Sequence, residues 1–99
     1  MRLTPAQAQA IHRLAQETAG EAASVLLFGS RLDDHAKGGD VDLLLQVPDP
    51  VDNPAQLAAL FSARVTRLME GRKVDVVLLA PNLLRLPIHD IALREGQRL

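Results

Sequence analysis

Residues 27–47 read LFGSRLDDHAKGGDVDLLLQV, and this stretch decides how the chain is interpreted. An apolar strand ends at Gly29 and Ser30, a loop of nine residues follows, and a second apolar strand begins with Asp40 and Asp42. Side chains alternate along a strand, so these two carboxylates point to the same side, with Cα atoms about 6.6 Å apart. Burial of an unpaired carboxylate costs several kcal/mol. A cation partner is therefore expected at the start of this strand.

The whole sequence predicts three helices and three strands of a sheet. The expected helices cover about residues 5–19, 54–70 and 88–95, and the expected strands cover 24–28, 40–47 and 73–79. Thr4 with Gln7 forms a capping-box pattern, and Asn53 before Pro54 marks the start of the second helix. Gly20 and Gly71 are the predicted helix stops.

The lengths of the connections constrain how the strands pair. Only eleven residues join the first two strands, which favours an antiparallel pair over a parallel crossover. A helix separates the second and third strands, as in a right-handed βαβ unit with parallel strands. This topology brings Gly29 and Ser30, Asp40 and Asp42, and Asp75 to one edge of the sheet. The fold class is therefore α/β (α+β), with a small mixed sheet flanked by helices.

Three acids at one sheet edge predict a divalent metal site. Asp40, Asp42 and Asp75 supply the oxygen ligands that Mg²⁺ prefers, and Mg²⁺ often shares its coordination with substrate phosphates. Two such ions, roughly 3.5–4 Å apart, would bind the attacking and leaving oxygens of a phosphoryl or nucleotidyl transfer. The three aspartates are therefore the predicted catalytic and metal-binding residues.

The loop after the first strand predicts a phosphate-binding segment. Gly29 allows close approach of the backbone, and the Ser30 hydroxyl with the loop amides would contact phosphate oxygens. Arg31 and Lys37 are the cations of this loop that would meet a triphosphate.

Each of these residues also has a purely structural interpretation. Asp40 and Asp42 would then mark a solvated strand end, and Asp75 would be an edge charge paired with Lys73 or Arg72. Three other polar residues of the loop are interpreted as solvent-facing or capping: Asp33, Asp34 and His35. His12 and His89 have no partner visible in the sequence and are interpreted as structural.

Composition limits the remaining classes of function. The 99 residues predict one domain covering 1–99, and the net charge of −1 with only two aromatic residues argues against direct nucleic-acid binding. The chain has no cysteine, which excludes disulfides and thiolate metal sites. No apolar run approaches the roughly 20 residues of a membrane span, and the N-terminus has no apolar signal core. A cytoplasmic protein without a membrane partner is expected.

The pattern resembles the minimal nucleotidyltransferases of the DNA polymerase beta superfamily, which are often encoded beside a HEPN-type partner. The residues that carry the resemblance are LFGSRLDDHAKGGDVDLLL and, in the next strand, VDVVLL. The resemblance covers roughly residues 20–80. It implies that Gly29 and Ser30 hold the nucleotide phosphates, that Asp40 and Asp42 bind Mg²⁺, and that Asp75 completes the metal site and helps to deprotonate the attacking hydroxyl.

The resemblance also implies an activity and a partner. The expected reaction is transfer of a nucleoside monophosphate, AMP from ATP, to a protein hydroxyl, with this chain as the antitoxin of a HEPN/MNT toxin–antitoxin pair. The alternative is a binding module of weak or absent activity that neutralises its partner by occlusion. It is motivated by departures in the loop, where LDD replaces the common Ala-Arg-Gly and Gly39 replaces a common Ser. An antibiotic-modifying transferase is a third hypothesis, for which the chain carries no added acceptor domain.

Overall fold

A computed structural model of the protein describes residues 3–29 and 40–99. In chain order the elements are α1 (Pro5–Ala19), β1 (Ser24–Phe28), β2 (Val41–Gln46), α2 (Pro54–Leu68), β3 (Val74–Leu79), α3 (Pro87–Glu95) and β4 (Gln97–Arg98). The strands form one mixed sheet in the order β3-β2-β1-β4. β1 is antiparallel to β2 and β4, whereas β2 and β3 are parallel. The predicted fold class and both predicted strand pairings are confirmed.

The two longer helices begin where their capping residues predict. The Gln7 amide donates to the Thr4 hydroxyl at 3.0 Å, and the Thr4 amide donates to the Gln7 side chain at 2.9 Å. At the start of α2, the Gln56 amide donates to the Asn53 side chain at 3.2 Å. These side chains satisfy amides that have no partner within the helix. α1 ends at Gly20, as its sequence predicts.

Helices cover both faces of the sheet. Alternate strand residues, such as Val25, Leu43 and Leu45, pack against α1 and α2, which contribute Ile11 and Phe61. The other face carries a smaller cluster in which α3 packs on β1 and β2. Its members are Leu26, Phe28, Leu44, Val77, Leu79, Ala92 and Leu93. Because strand side chains alternate, each strand serves a large core on one side and a small one on the other.

Element ends differ from the sequence prediction by one or two residues, and one strand was missed. β2 and β3 begin one residue later than expected, and α2 ends at Leu68. β4 has only two residues, and its pairing extends to Leu99, whose amide donates to the Val25 carbonyl at 2.9 Å. A strand this short has no alternation pattern to detect. It forms because the residues that follow α3 lie along the free edge of β1.

His89 has a structural role in α3, as expected, and the structure supplies the partners that the sequence did not reveal. Its Nδ1 accepts from the Leu86 amide at 2.8 Å, so the proton lies on Nε2, which donates to the Leu78 carbonyl at 3.0 Å. The side chain is buried, with 4% exposure. His89 therefore caps α3 and anchors it to β3.

None of the helices described in residues 3–29 and 40–99 has the length and apolar character to cross a membrane. The cytoplasmic location stays a prediction.

Candidate active site

The strand register places two of the predicted acids side by side. Phe28 of β1 is paired with Asp42 of β2, and Asp42 is paired with Asp75 of β3. Paired residues on neighbouring strands are roughly 4.8 Å apart. Asp42 and Asp75 occupy the alternate positions that face α3, as Leu44 and Val77 do farther along the same strands. The two carboxylates therefore lie on one face, at the sheet edge where β1 ends and β2 and β3 begin.

Gly29 packs directly against the Asp42 carboxylate. A Cβ atom at Gly29 would collide with Asp42 Oδ2 and lie 3.2 Å from Asp42 Cγ. Gly29 also has φ of +76°, which side-chain-bearing residues rarely adopt. Any other residue here would displace the carboxylate, so the glycine is required by both contact and conformation. The close contact found at Gly29 is with the Asp42 side chain, and binding of phosphate at Gly29 stays a prediction.

The Asp75 and Asp40 carboxylates are close enough to Asp42 to affect its ionisation. Burial raises the pKa of the Asp42 carboxyl, and the Asp75 carboxylate and then the Asp40 carboxylate raise it further, while the Lys73 ammonium lowers it. Like charges a few Å apart disfavour ionisation of one another. The paired strands therefore hold carboxylates together although they repel one another. A bound cation would relieve this repulsion.

The acids fit an open metal site more closely than a closed one. Asp40 immediately precedes β2, and both Asp40 and Asp75 are exposed. Within residues 3–29 and 40–99, no group of three His, Cys, Asp or Glu side chains is already arranged to enclose a metal ion. Mg²⁺ usually takes one or two carboxylates and keeps waters or substrate phosphates for the rest. An all-oxygen set with one half-buried carboxylate and two exposed ones fits Mg²⁺ held jointly with a nucleotide.

Three of the predicted nucleotide-binding residues, Ser30, Arg31 and Lys37, lie outside the described residues, as do Asp33, Asp34 and His35 of the same loop. The structural interpretation of Asp75 can be tested. Among the described residues, neither Lys73 nor Arg72 lies within salt-bridge distance of Asp75. Asp75 is paired through the sheet with another acid instead.

Lys73 borders the site, and sequence reasoning did not include it among the site residues. It immediately precedes β3, and its carbonyl accepts the Val41 amide at 3.0 Å, so the parallel pairing extends to it. The available signal was its spacing: Lys73 is two residues before Asp75 and therefore shares its face of the strand.

A groove between two helices lies away from the acids. It encloses about 490 Å³ between α1 and α2 and is lined by Ala10, Arg13, Leu14, Glu17, Arg64, Arg67 and Leu68. The three acids lie at the sheet edge on the opposite face. The candidate site is thus identified by the chemistry of its side chains rather than by the depth of a cavity.

Comparison with known proteins identifies the family of the chain. The sequence profile of the nucleotidyltransferase domain matches residues 9–99. No protein of curated function matches the sequence.

Three solved structures share the fold. A mutant of a MntA–HepT toxin–antitoxin complex with two aspartate-to-glutamate changes matches with TM-score 0.67 and 15% identity, over 92% of this chain and 70% of that one. The MntA–HepT complex itself matches with TM-score 0.65 and 16% identity, over 96% and 70% of the two chains. A complex of a tri-AMPylated Shewanella oneidensis HEPN toxin with an MNT antitoxin matches with TM-score 0.65 and 16% identity, over 94% and 68%.

The profile match covers nearly the whole chain, and it includes both β strands that carry the acids. The fold agrees with it. The chain belongs to the nucleotidyltransferase domain family.

Proposed function

We propose that this protein is a Mg²⁺-dependent nucleotidyltransferase that moves AMP from ATP to a hydroxyl of a partner protein, as the antitoxin of a HEPN-type toxin. Membership of the nucleotidyltransferase family supports the reaction class. One observation carries the proposal: Asp42 is held against Gly29 on one side and paired with Asp75 on the other. Two carboxylates held together, with the Gly29 backbone against one of them, support binding of a cation and an anionic ligand here.

Each site residue has its own role in the proposed reaction. Asp40, Asp42 and Asp75 would hold Mg²⁺, which when bound neutralises phosphate charge. Because Gly29 has no side chain, the Asp42 carboxylate can keep its position at the start of β2. Asp75, exposed at the start of β3, would receive the proton of the attacking hydroxyl. Catalysis then rests mainly on positioning and on charge neutralisation.

The choice of partner and of AMP draws on the structural relatives. Two of them are toxin–antitoxin complexes, and in the third the HEPN toxin is tri-AMPylated. One relative carries two aspartate-to-glutamate changes two positions apart, which is the spacing of Asp40 and Asp42. This chain has no tyrosine, so a tyrosine acceptor would have to belong to another protein.

The test is label transfer from ATP carrying a radioactive α-phosphate, with Mg²⁺, into lysate of the source organism and into the purified product of a neighbouring gene. The wild type is compared with Asp40→Asn and Asp42→Asn. Asp52→Asn, an exposed aspartate in the loop before α2, is the matched control. We expect label on a protein acceptor with the wild type and the control only. Absence of transfer from all four nucleotides overturns the proposed activity.

A second candidate function is neutralisation of a partner by occlusion, without transfer. It is favoured by large apolar side chains exposed before and along α3: Leu84 (79%), Leu86 (46%), Ile88 (39%) and Ile91 (38%). Exposed apolar patches commonly mark protein–protein contacts. Neutralisation of the partner toxin by the Asp42→Asn variant separates the two functions. A protein that acts by occlusion tolerates this change, whereas one that acts by transfer loses neutralisation.

A further inference from the structure

Lys73 completes a group of four charged side chains on one face of two neighbouring strands. The pairing of Val41 with Val74 continues by one residue, through the bond from the Val41 amide to the Lys73 carbonyl, and so places Lys73 beside Asp40. The next pair on the same face is Asp42 with Asp75. Side chains two residues apart on a strand point to the same side. Lys73 is therefore a cation at the rim of the acidic site.

The Lys73 ammonium is close enough to Asp42 to affect its charge, but it forms no ion pair with a described carboxylate. Its field lowers the pKa of Asp42. Among the described residues, however, it has no carboxylate within 4.0 Å, and the residue is exposed. Within residues 3–29 and 40–99, no carboxylate occupies this ammonium, and we take it as a contact for a ligand at the rim of the site.

The order of the strands places Lys73 and Gly29 on opposite sides of Asp42. Gly29 lies on the β1 side of Asp42, and Lys73 lies on the β3 side, so roughly two strand spacings, or about 10 Å, separate them. In a nucleotidyl transfer the attacking and leaving oxygens lie roughly in line on opposite sides of the phosphorus. If the triphosphate lies over the Gly29 side of the carboxylates, the acceptor approaches from the β3 side, where Lys73 and Asp75 stand.

We infer that Lys73 is an acceptor-side residue, whose ammonium contacts the attacking oxygen while Asp75 takes its proton. This inference rests on the proposed function. In the step, the acceptor O–H proton moves to the Asp75 carboxylate and the acceptor oxygen forms a bond to the α-phosphorus. The bond from that phosphorus to the bridging oxygen breaks, and its electron pair leaves on pyrophosphate. Lys73 keeps its proton throughout and stabilises the negative charge that develops on the attacking oxygen.

The test separates binding of the nucleotide from use of the acceptor. Lys73→Met removes the charge, Lys73→Arg keeps it, and Arg72→Met is the matched control at the exposed preceding residue. Nucleotide affinity is measured with a fluorescent ATP analogue and Mg²⁺. Transfer kinetics are measured on the acceptor protein that takes label from the wild type. We expect Lys73→Met to lower kcat/KM for the acceptor by about 10²-fold, with nucleotide Kd within about twofold of wild type. Lys73→Arg should recover most of the loss, and Arg72→Met should match wild type.

Two outcomes overturn the inference while the proposed function stands. A tenfold weaker nucleotide Kd in Lys73→Met, with acceptor kinetics intact, would assign the cation to the triphosphate. Unchanged binding and unchanged transfer in that variant would leave Lys73 as a surface charge. A wild type that neither binds the nucleotide nor transfers label overturns the proposed function, and the role of Lys73 with it.

Discussion

The two faces of the sheet differ in what they bury, and the difference separates folding from chemistry. The face under α1 and α2 is apolar from end to end, with Val41, Leu43 and Leu45 of β2 fully buried. The face under α3 has apolar residues only over part of its length. At its other end the same strands present Asp42 and Asp75. The mutually repelling carboxylates are thus held in place by the strands' apolar side chains, which are buried on the opposite face.

The alternation within β2 is the physical basis of this arrangement. Successive residues of Val41–Gln46 point to opposite faces, so each polar side-chain position is flanked by residues anchored in the main core. The cost of crowding the acids is met by burial on the opposite face, where each large aliphatic side chain contributes about 1.5–3 kcal/mol. Substitutions on the two faces should therefore have separable effects.

The largest effect is expected on the apolar face, at Phe61 of α2. Phe61 is fully buried in the main core, and truncation of a buried Phe to Ala typically costs about 3–5 kcal/mol. Phe61→Ala should therefore lower the free energy of unfolding by about 3–5 kcal/mol, measured by urea denaturation. The neighbouring Leu60, 43% exposed on the same helix, is the control, and Leu60→Ala should cost less than about 1 kcal/mol. Equal losses in the two variants would contradict this description of the core.

The next effect is expected at the site, where Gly29→Ala should damage activity more than stability. The added Cβ would push the Asp42 carboxylate from the strand mouth, and we expect nucleotidyl transfer to fall by about 10²-fold, or about 2.7 kcal/mol. Radioactive transfer assays measure the loss.

Gly71 supplies a matched control for Gly29. It has a similar φ of +89°, but a Cβ there would meet nothing within 4 Å. Gly71→Ala therefore carries the same backbone strain, of about 1–2 kcal/mol, without the contact with Asp42. Activity should stay near wild type in this variant. If both variants lose activity equally, backbone strain rather than displacement of Asp42 is the cause.

The sequence predicted which strand ends meet, but it did not predict β4 or the hydrogen bonds of His89. Asp40, Asp42 and Asp75 are recognisable because carboxylates are out of place in apolar strands, and connection length alone brings those strand ends together. β4 and the bonds of His89 were not predictable, because each depends on a partner distant in sequence: β1 for the strand, and Leu78 for the histidine. The position of Lys73 beside Asp40 was missed for the same reason, since it follows only once β2 and β3 are paired in register.

A smaller effect is expected at His89, which joins α3 to the sheet. His89→Ala leaves the Leu86 amide and the Leu78 carbonyl without their side-chain partner, and we expect a loss of about 2 kcal/mol in the free energy of unfolding. His12→Ala is the control, because His12 Nδ1 already has no hydrogen-bond partner within the described part of the chain. Urea denaturation of both variants should show a clear loss for His89→Ala and a change below about 1 kcal/mol for His12→Ala. The reverse order would show that His89 does not anchor α3.

The smallest effect is a pH dependence that arises at Asp42 itself. Burial and the neighbouring carboxylates raise the pKa of Asp42 in the folded protein above its ordinary value of 3.8, so the folded state holds this proton more tightly than the unfolded state does. The stability that the protonated carboxyl contributes is complete below the unfolded pKa and is lost as pH rises through the folded pKa. Asp42→Asn removes this titration. Its free energy of unfolding relative to wild type should therefore increase as pH rises above 3.8, and level off once Asp42 is ionised in both states.

Urea denaturation across this pH range measures the difference, with Asp52→Asn as a control whose difference from wild type should stay flat. Because a bound cation stabilises the ionised form, added Mg²⁺ should reduce the advantage of Asp42→Asn at neutral pH. An advantage that is the same at every pH would mean that repulsion among these three acids does not oppose folding.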